Sequence, residues 1–395
     1  MFHLVSLVVT LCLTVTILAD CDVSIAYNYY GDLKDPQPLI LAENGDGFFY
    51  PNRGRMLMLQ SGQSVLIACP GDKNKIVGTN VKEAIATCQN GKNFDVNGVT
   101  RQFSTITCES NPQISTRILT QKCLGDKISI AVGYQLTNKF LTTYEVCRND
   151  NTYETYYSKF KLTKANQGQS RYPRPTWRAE NHFNGMDVDR LYYWETQRTV
   201  IQNLLGPNAP AAKRVNKQLF LSRGHLTAKA DFVYGSQQNC TFQYLNAAPQ
   251  WSTFNSKNWE VLESSVRNFT QAKSLDLEVY TGVHGAMMMA DIHGNQRVIT
   301  ITYRHSKPLL VPKFFWKIIY HRPSRKGTAF VGLNDPFITN ATPDLYLCTN
   351  RIDPHITWLS WSSNYTQGLS YACTVDDLRL KIPTIPPLKV VDILI

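Results

Sequence analysis

Cysteine placement restricts this chain more than any other feature. Ten cysteines are present; Cys12 falls within an apolar run from Leu4 to Ala19, and the remaining nine are spread from Cys21 to Cys373. None forms a Cys-x-x-Cys pair, which argues against a zinc site and for disulfides. The apolar run is shorter than the ~20 residues a membrane span needs. It ends Thr-Ile-Leu-Ala before Asp20 and reads as a signal peptide over residues 1–19, with no Lys or Arg ahead of it. Four Asn-x-Thr sequons follow, at Asn239, Asn268, Asn340 and Asn364. The expectation is a secreted, extracellular, disulfide-bonded glycoprotein. Because nine is odd, one thiol stays unpaired, and Cys240, inside a sequon, is the candidate. Cys348–Cys373 and Cys123–Cys147 are the pairings that proximity in sequence suggests.

Hydrophobic residues make up 43% of the 395 and charged residues 18%, so the chain can bury a core; disordered, collagen-like and low-complexity classes are excluded. Two textures divide it. From Asp20 to about Asp150, short β-type runs (Ser64–Cys69, Ala84–Cys88, Phe103–Cys108, Ile128–Tyr134) alternate with Gly, Asn, Asp and Pro clusters. This predicts a β-rich accessory domain over 20–150. Residues 151–395 form a second domain, with strands at Gln218–Leu221, Phe242–Leu245, Leu277–Val283, Val298–Tyr303 and Phe314–Tyr320. Helices are expected at Asp189–Leu205 and from Ser256 to Phe269, the latter with Trp259, Leu262, Val266 and Phe269 on one face and Asn255 or Ser256 as N-cap. The tail Ile382–Ile395, broken by Pro383, Pro386 and Pro387, reads as a strap across a surface.

Forty-one Lys and Arg against thirty Asp and Glu give a net charge of +11, which favours an anionic partner. The basic residues concentrate in windows 155–179, 196–230 and 292–334, and the first interleaves them with Tyr156, Tyr157, Phe160, Tyr172 and Trp177. Such windows suit a nucleic-acid footprint in which aromatics stack on unpaired bases.

The chemistry is concentrated between Ser222 and Glu263. The chain reads Leu-Ser-Arg-Gly-His-Leu at 221–226, Asn-Ala-Ala-Pro-Gln-Trp at 246–251, then Asn255, then Trp-Glu-Val-Leu-Glu at 259–263. A strand ends in His, a loop supplies Asn and Pro-Gln, and a helix opens with Asn and carries Glu two turns on. That ordered set resembles the ββα-metal (His-Me finger) site of the DNA/RNA non-specific endonucleases, the Serratia-nuclease family. The flanking residues Arg223–Phe232 look closest to its secreted arthropod branch. The likeness continues through Val279-Tyr280-Thr281-Gly282 and Pro312–Lys317, and spans roughly residues 180–375. It implies an α+β fold: a ββα-metal nuclease domain with a central antiparallel sheet flanked by helices, after a small disulfide-stapled β-rich domain.

Phosphodiester hydrolysis needs a nucleophilic water, a neutralised phosphorane and a stabilised leaving oxygen. His225, of a residue type with pKa ~6.5, is the expected general base. Asn255 offers a neutral carbonyl oxygen, a hard ligand for a largely hydrated Mg²⁺ or, in its place, Mn²⁺. Glu263 lies ~12 Å further along the helix and is expected to act on the metal through a water. Arg223, two residues before His225 on a strand, shares its face and carries a donor fork for phosphate oxygens. Asn246 occupies the family position before Pro-Gln and, with Lys229, is expected to hold substrate phosphate. Each has a plainer reading: a surface carboxylate for Glu263, an N-cap for Asn255, an ion-pair partner for Arg223, a loop hydrogen-bonder for Asn246. Two departures matter. Ser222 stands where the family has Asp, and the family's upstream catalytic arginine is not placed, with Arg190 and Arg198 as candidates. The function expected is a secreted, Mg²⁺-dependent endonuclease cutting DNA and RNA, single- or double-stranded, to 5′-phosphorylated products, with no membrane and no protein partner. The alternative is a secreted, salivary-type nucleic-acid-binding protein with weak or residual activity.

Overall fold

The run Phe314 to Tyr320 is apolar on both faces, so a strand that carries it must be covered twice. The computed structural model, which describes residues 20–304 and 306–395, provides this cover; the expected leader at 1–19 lies outside the described residues. A five-stranded sheet comes first, in the order β1 (Leu39–Ala42), β2 (Ser64–Ala68), β3 (Glu83–Asn90), β4 (Asn93–Val96), β5 (Val99–Gln102). Then follow β6 (Ile114–Ile118), β7 (Ile128–Gln135), β8 (Phe140–Asn149) and β9 (Glu154–Leu162). Strands β10 (Leu221–His225) and β11 (Ala247–Trp251) form a separate pair, and β12 (Leu277–Ala286), β13 (Pro312–His321), β14 (Lys326–Leu333) and β15 (Ser370–Cys373) complete the set used here. The central sheet has eight strands in the order β15-β14-β13-β12-β9-β8-β7-β6, every neighbouring pair antiparallel.

Helices α1 (Val188–Leu191) and α2 (Trp194–Leu205) precede β10, and α3 follows β11 directly. Helix α3 starts at Ser252–Phe254, widens to a π-helical stretch at Asn255–Trp259 and continues as Glu260–Ala272. Trp259, Leu262, Val266 and Phe269 of α3 pack on Phe315, Ile319 and Phe330, as the three- and four-residue spacing requires. The opposite face, with Trp316, Ile318 and Val331, is covered by Val375 and Leu378. The fold is α+β, a central antiparallel sheet flanked by helices.

Several local expectations shift. The helix expected at 189–205 breaks between Leu191 and Trp194. Asn255 is not an N-cap, because α3 begins three residues earlier at Ser252. The runs at 103–108 and 242–245 form 3₁₀ turns at Phe103–Thr105 and Tyr244–Asn246 instead of strands. Residue 150, the expected domain boundary, falls in the turn between β8 and β9, which pair with Cys147 opposite Tyr157. Strands from Ile114 onward therefore belong to the central eight-stranded sheet, and the sheets divide after β5 instead.

The cysteines pair as Cys21–Cys88, Cys69–Cys108, Cys123–Cys147 and Cys348–Cys373, and Cys240 is free and buried. The C-terminal strap docks on β14: Asp392 pairs with Lys326 at 2.6 Å, and the Leu394 amide donates to Thr328 Oγ1 at 3.0 Å. Asn268, Asn340 and Asn364 of the sequons are exposed, whereas Thr241 of the Asn239 sequon is fully buried.

Candidate active site

Strands β10 and β11 run antiparallel with Gly224 opposite Ala248 and His225 opposite Ala247, and Trp251 leads straight into α3. Gly224 fits closely in this pair: a Cβ there would lie 2.6 Å from Gln250 Cβ and 3.0 Å from the Ala248 carbonyl oxygen. Strand alternation puts Arg223 and His225 on one face. Both line a cavity of about 520 Å³ together with Arg174, Trp177, Lys229, Asn255 and Glu263.

His225 is wedged between two aromatic rings, Trp177 with centroids 4.6 Å away and Phe242 at 5.0 Å. Its Nε2 is buried with no hydrogen-bond partner among the described residues, so aromatic walls orient the ring. Burial, then the charges of Arg174 and Lys229, push its pKa down to about 3. The imidazole is neutral throughout the physiological range.

Asn255 Nδ2 donates to Ser222 Oγ at 2.9 Å, and Ser222 Oγ donates onward to the Gln250 carbonyl at 2.8 Å. Ser222 thus clamps the amide nitrogen and leaves Oδ1 without a protein donor among the described residues. The π-helical turn that carries Asn255 is a distortion frequently found at functional positions. Glu263 faces the same cavity two turns on. Burial raises its pKa, opposed first by Lys317, a buried ammonium that donates to Thr281 Oγ1 at 2.6 Å.

Arg223 is held on three sides. Its Nη2 meets Asp189 Oδ1 of α1 at 2.6 Å, its Nε donates to Tyr244 Oη at 3.0 Å, and its guanidinium lies 5.3 Å from the Tyr192 ring centroid. The ion pair expected for Arg223 is present, and the side chain also lines the cavity. Lys229, half-buried, donates to the Tyr172 carbonyl at the cavity wall.

The donor set fits a hard, largely hydrated divalent ion: one unclaimed amide oxygen, with the carboxyl groups of Glu260 and Glu263 facing the same space. Among the described residues there is no group of three or more His, Cys, Asp or Glu that could hold a metal ion. Residues 126–378 match the family model of the DNA/RNA non-specific endonucleases. The chain belongs to this family.

As a non-specific endonuclease it is a nuclease acting on nucleic acid. It is similar to a salivary endonuclease of Lutzomyia longipalpis, 26% identical over 359 residues covering 90% of this chain and 82% of the relative. A second relative, salivary protein Tsal2A of Glossina morsitans morsitans, is 22% identical over 389 residues, covering 94% and 93%. A salivary endonuclease of Culex quinquefasciatus is 23% identical over 357 residues, covering 87% and 85%.

Three sequence expectations about this endonuclease change. Asn246 is fully buried and does not line the cavity; its Nδ2 donates to the Thr227 and Thr241 carbonyls at 2.8 and 2.9 Å, and its Oδ1 accepts from the Thr227 amide at 2.8 Å. With its polar atoms spent on the loop, it has nothing to offer a phosphate. Asn246→Ala is expected to lower stability by about 1–3 kcal/mol for each buried group left unpaired. Thermal unfolding checks this; a wild-type midpoint with a raised KM would restore the substrate role. Arg190 lines a different cleft and Arg198 is exposed on α2. The upstream arginine that does enter the cavity is Arg174, exposed, with no ion pair among the described residues. No motif marks it; its sole signal was membership of the first basic window.

Proposed function

We propose that this endonuclease is secreted and hydrolyses DNA and RNA, single- or double-stranded, with Mg²⁺ or in its place Mn²⁺, leaving 5′-phosphorylated ends. The observation that carries the reading is the meeting, in one cavity, of a neutral imidazole and an amide oxygen without a protein donor. Secretion is supported by four disulfides and by three salivary relatives.

Asn255 Oδ1 would ligate the ion directly and Glu263 would hold a water of its shell. When bound, such an ion would supply charge neutralisation to the reacting phosphate. His225 takes a proton from the attacking water as that oxygen bonds to phosphorus; since Nε2 is shut off from solvent, Nδ1 is the accepting nitrogen. The bond to the 3′ oxygen then breaks, and this oxygen leaves with a proton from solvent. A pKa near 3 makes the unliganded imidazole a weak base. Burial, the larger cause, remains when substrate binds; phosphate arriving beside Arg174 and Lys229 offsets the smaller, coulombic part of the depression. Arg223, fixed by Asp189, and Arg174 donate to the phosphorane oxygens.

Ser222 acts here as a positioning residue. Ser222→Ala is expected to raise the Mg²⁺ needed for half-maximal activity about 10- to 100-fold, as loss of a partner that orients a ligand does. Turnover at saturating ion should stay near wild type; an unchanged Mg²⁺ requirement would remove the clamp. The reading as a whole is tested by digesting plasmid, single-stranded RNA and double-stranded RNA at one salt concentration, with Mg²⁺ or with EDTA. All three should be degraded with Mg²⁺ and none with EDTA. Cleavage that survives EDTA would overturn the metal-dependent mechanism, and tight binding without turnover would favour the binding-protein alternative.

A further inference from the structure

A second cleft, of about 530 Å³, opens between the segment 183–190 and the residues Tyr303, Arg304, Ser306 and Lys307. Arg190, Arg304 and Lys307 line it, and none of them forms an ion pair among the described residues. Asp187 is the acid in its lining, and its Oδ1 already accepts from the Arg190 amide at 3.3 Å. The rings come from Tyr153, Phe183 and Tyr303: Lys307 Nζ lies 5.3 Å from the Tyr153 centroid, and the Arg304 guanidinium 5.1 Å from that of Tyr303. Behind this wall sits Arg148, 0% exposed, stacked 4.4 Å from Phe183 and 5.3 Å from Tyr153, with its Nη1 unpartnered among the described residues. An acid-poor cleft that combines cations with aromatic faces is suited to a polyanion bearing flat bases.

Its position relates it to the catalytic cavity. Asp189, which grips Arg223, is the neighbour of Arg190 on the single turn of α1. Arg190 lines the second cleft while Asp189 holds Arg223 of the first, so α1 contributes to both. A helix with its side chains is about 10 Å thick, about three steps at ~3.4 Å along a stacked strand.

We propose that this cleft is a second nucleic-acid subsite, gripping backbone phosphate and stacking an unpaired base a few nucleotides from the bond being cut. The proposal rests on the endonuclease reading above and adds a substrate preference to it. Strands long enough to bridge α1 bind well, and shorter ones lose affinity without losing chemistry. Stacking on Tyr303 or Tyr153 is indifferent to base identity, as a non-specific nuclease requires.

The test compares wild type, the double variant Arg304→Ala/Lys307→Ala, and Tyr303→Ala on a 20-nucleotide and a 4-nucleotide DNA strand. The double variant should raise KM for the longer strand about tenfold with kcat unchanged. In the inactive His225→Ala background, the slope of log affinity against log salt for that strand should fall by about 1.4, the loss of two phosphate contacts at ~0.7 each. Tyr303→Ala should raise KM by a similar factor with little change in slope. Turnover of the 4-nucleotide strand should stay at wild-type level, which also reports an intact fold. An active double variant with wild-type KM and salt slope overturns the subsite, as does an equal loss of kcat on both strands. If wild type cuts nothing while the slope still falls, the endonuclease reading fails and the subsite stands.

Discussion

His225→Ala is expected to lower turnover on plasmid DNA by about 10²–10⁴-fold, the range for removing a positioned general base. Binding should change little, because Arg223, Arg174 and Lys229 still present positive charge to the cavity. The ring is uncharged before substrate arrives, so its removal subtracts no electrostatic attraction from the free enzyme. Affinity for an uncleaved oligonucleotide, measured beside turnover, separates the two effects. An affinity loss as large as the rate loss would make His225 a binding residue.

The same ring links stability to pH. Unfolded, it titrates near ~6.5; folded, burial and two nearby cations hold it down to about 3. Between these values the unfolded chain binds the extra proton. Stability therefore rises with pH across that window, by up to about 1.4 kcal/mol per pH unit from this group, and its contribution is complete above pH 6.5. Thermal midpoints of wild type and His225→Ala from pH 7 to 4.5 check the sign: the wild type should lose more stability on acidification. Equal slopes would show that the imidazole titrates normally in the fold.

Asn255→Ala is the second large effect expected. In the mechanism proposed above the Asn255 amide oxygen is the direct protein ligand of the ion, and Lewis-acid stabilisation of a phosphoryl group is worth several kcal/mol, about 10²–10³-fold in rate. Unlike His225→Ala, this loss should be partly recovered by raising the Mg²⁺ concentration, since Glu263 and water can still retain a weakly held ion. The substitution leaves Ser222 free to turn toward solvent and does not touch the packing of Trp259, Leu262 and Val266 that holds α3 on the sheet. Unfolding midpoints should therefore stay close to wild type. A rate unchanged at low Mg²⁺ would remove Asn255 from the site.

What the residue order made legible was local. The β10–β11–α3 unit falls within 52 consecutive residues (221–272), and its spacing alone brought Arg223, His225, Asn255 and Glu263 to one cavity. The α3 face followed from apolar periodicity, and two disulfides from the closeness of their cysteines. What stayed hidden was set by distant pairing. Asp189 reaches Arg223 from 34 residues away in sequence, so a carboxylate that supports the site could not be read from the position before Arg-Gly-His. Arg174 enters the cavity from a loop whose course depends on the first domain: the Tyr27 amide donates to the Ser170 carbonyl, and Tyr27 packs edge-on against Tyr172. Asn246 was misread because a motif position says nothing about whether a side chain's polar atoms are already spent. The boundary at 150 failed for a related reason: a change of texture along the chain does not reveal that β8 and β9 are neighbours in one sheet.

The account stands on a single arrangement, a scissile phosphate between Asn255 and residue 225. A crystal structure of His225→Ala with an uncleaved DNA strand and Mn²⁺ examines it most directly. The prediction is one anomalous Mn²⁺ peak at ligand distance from Asn255 Oδ1, with a phosphorus atom between that peak and the position vacated by the imidazole. A strand whose phosphates all pass outside this cavity, or a metal peak bound elsewhere, would contradict it.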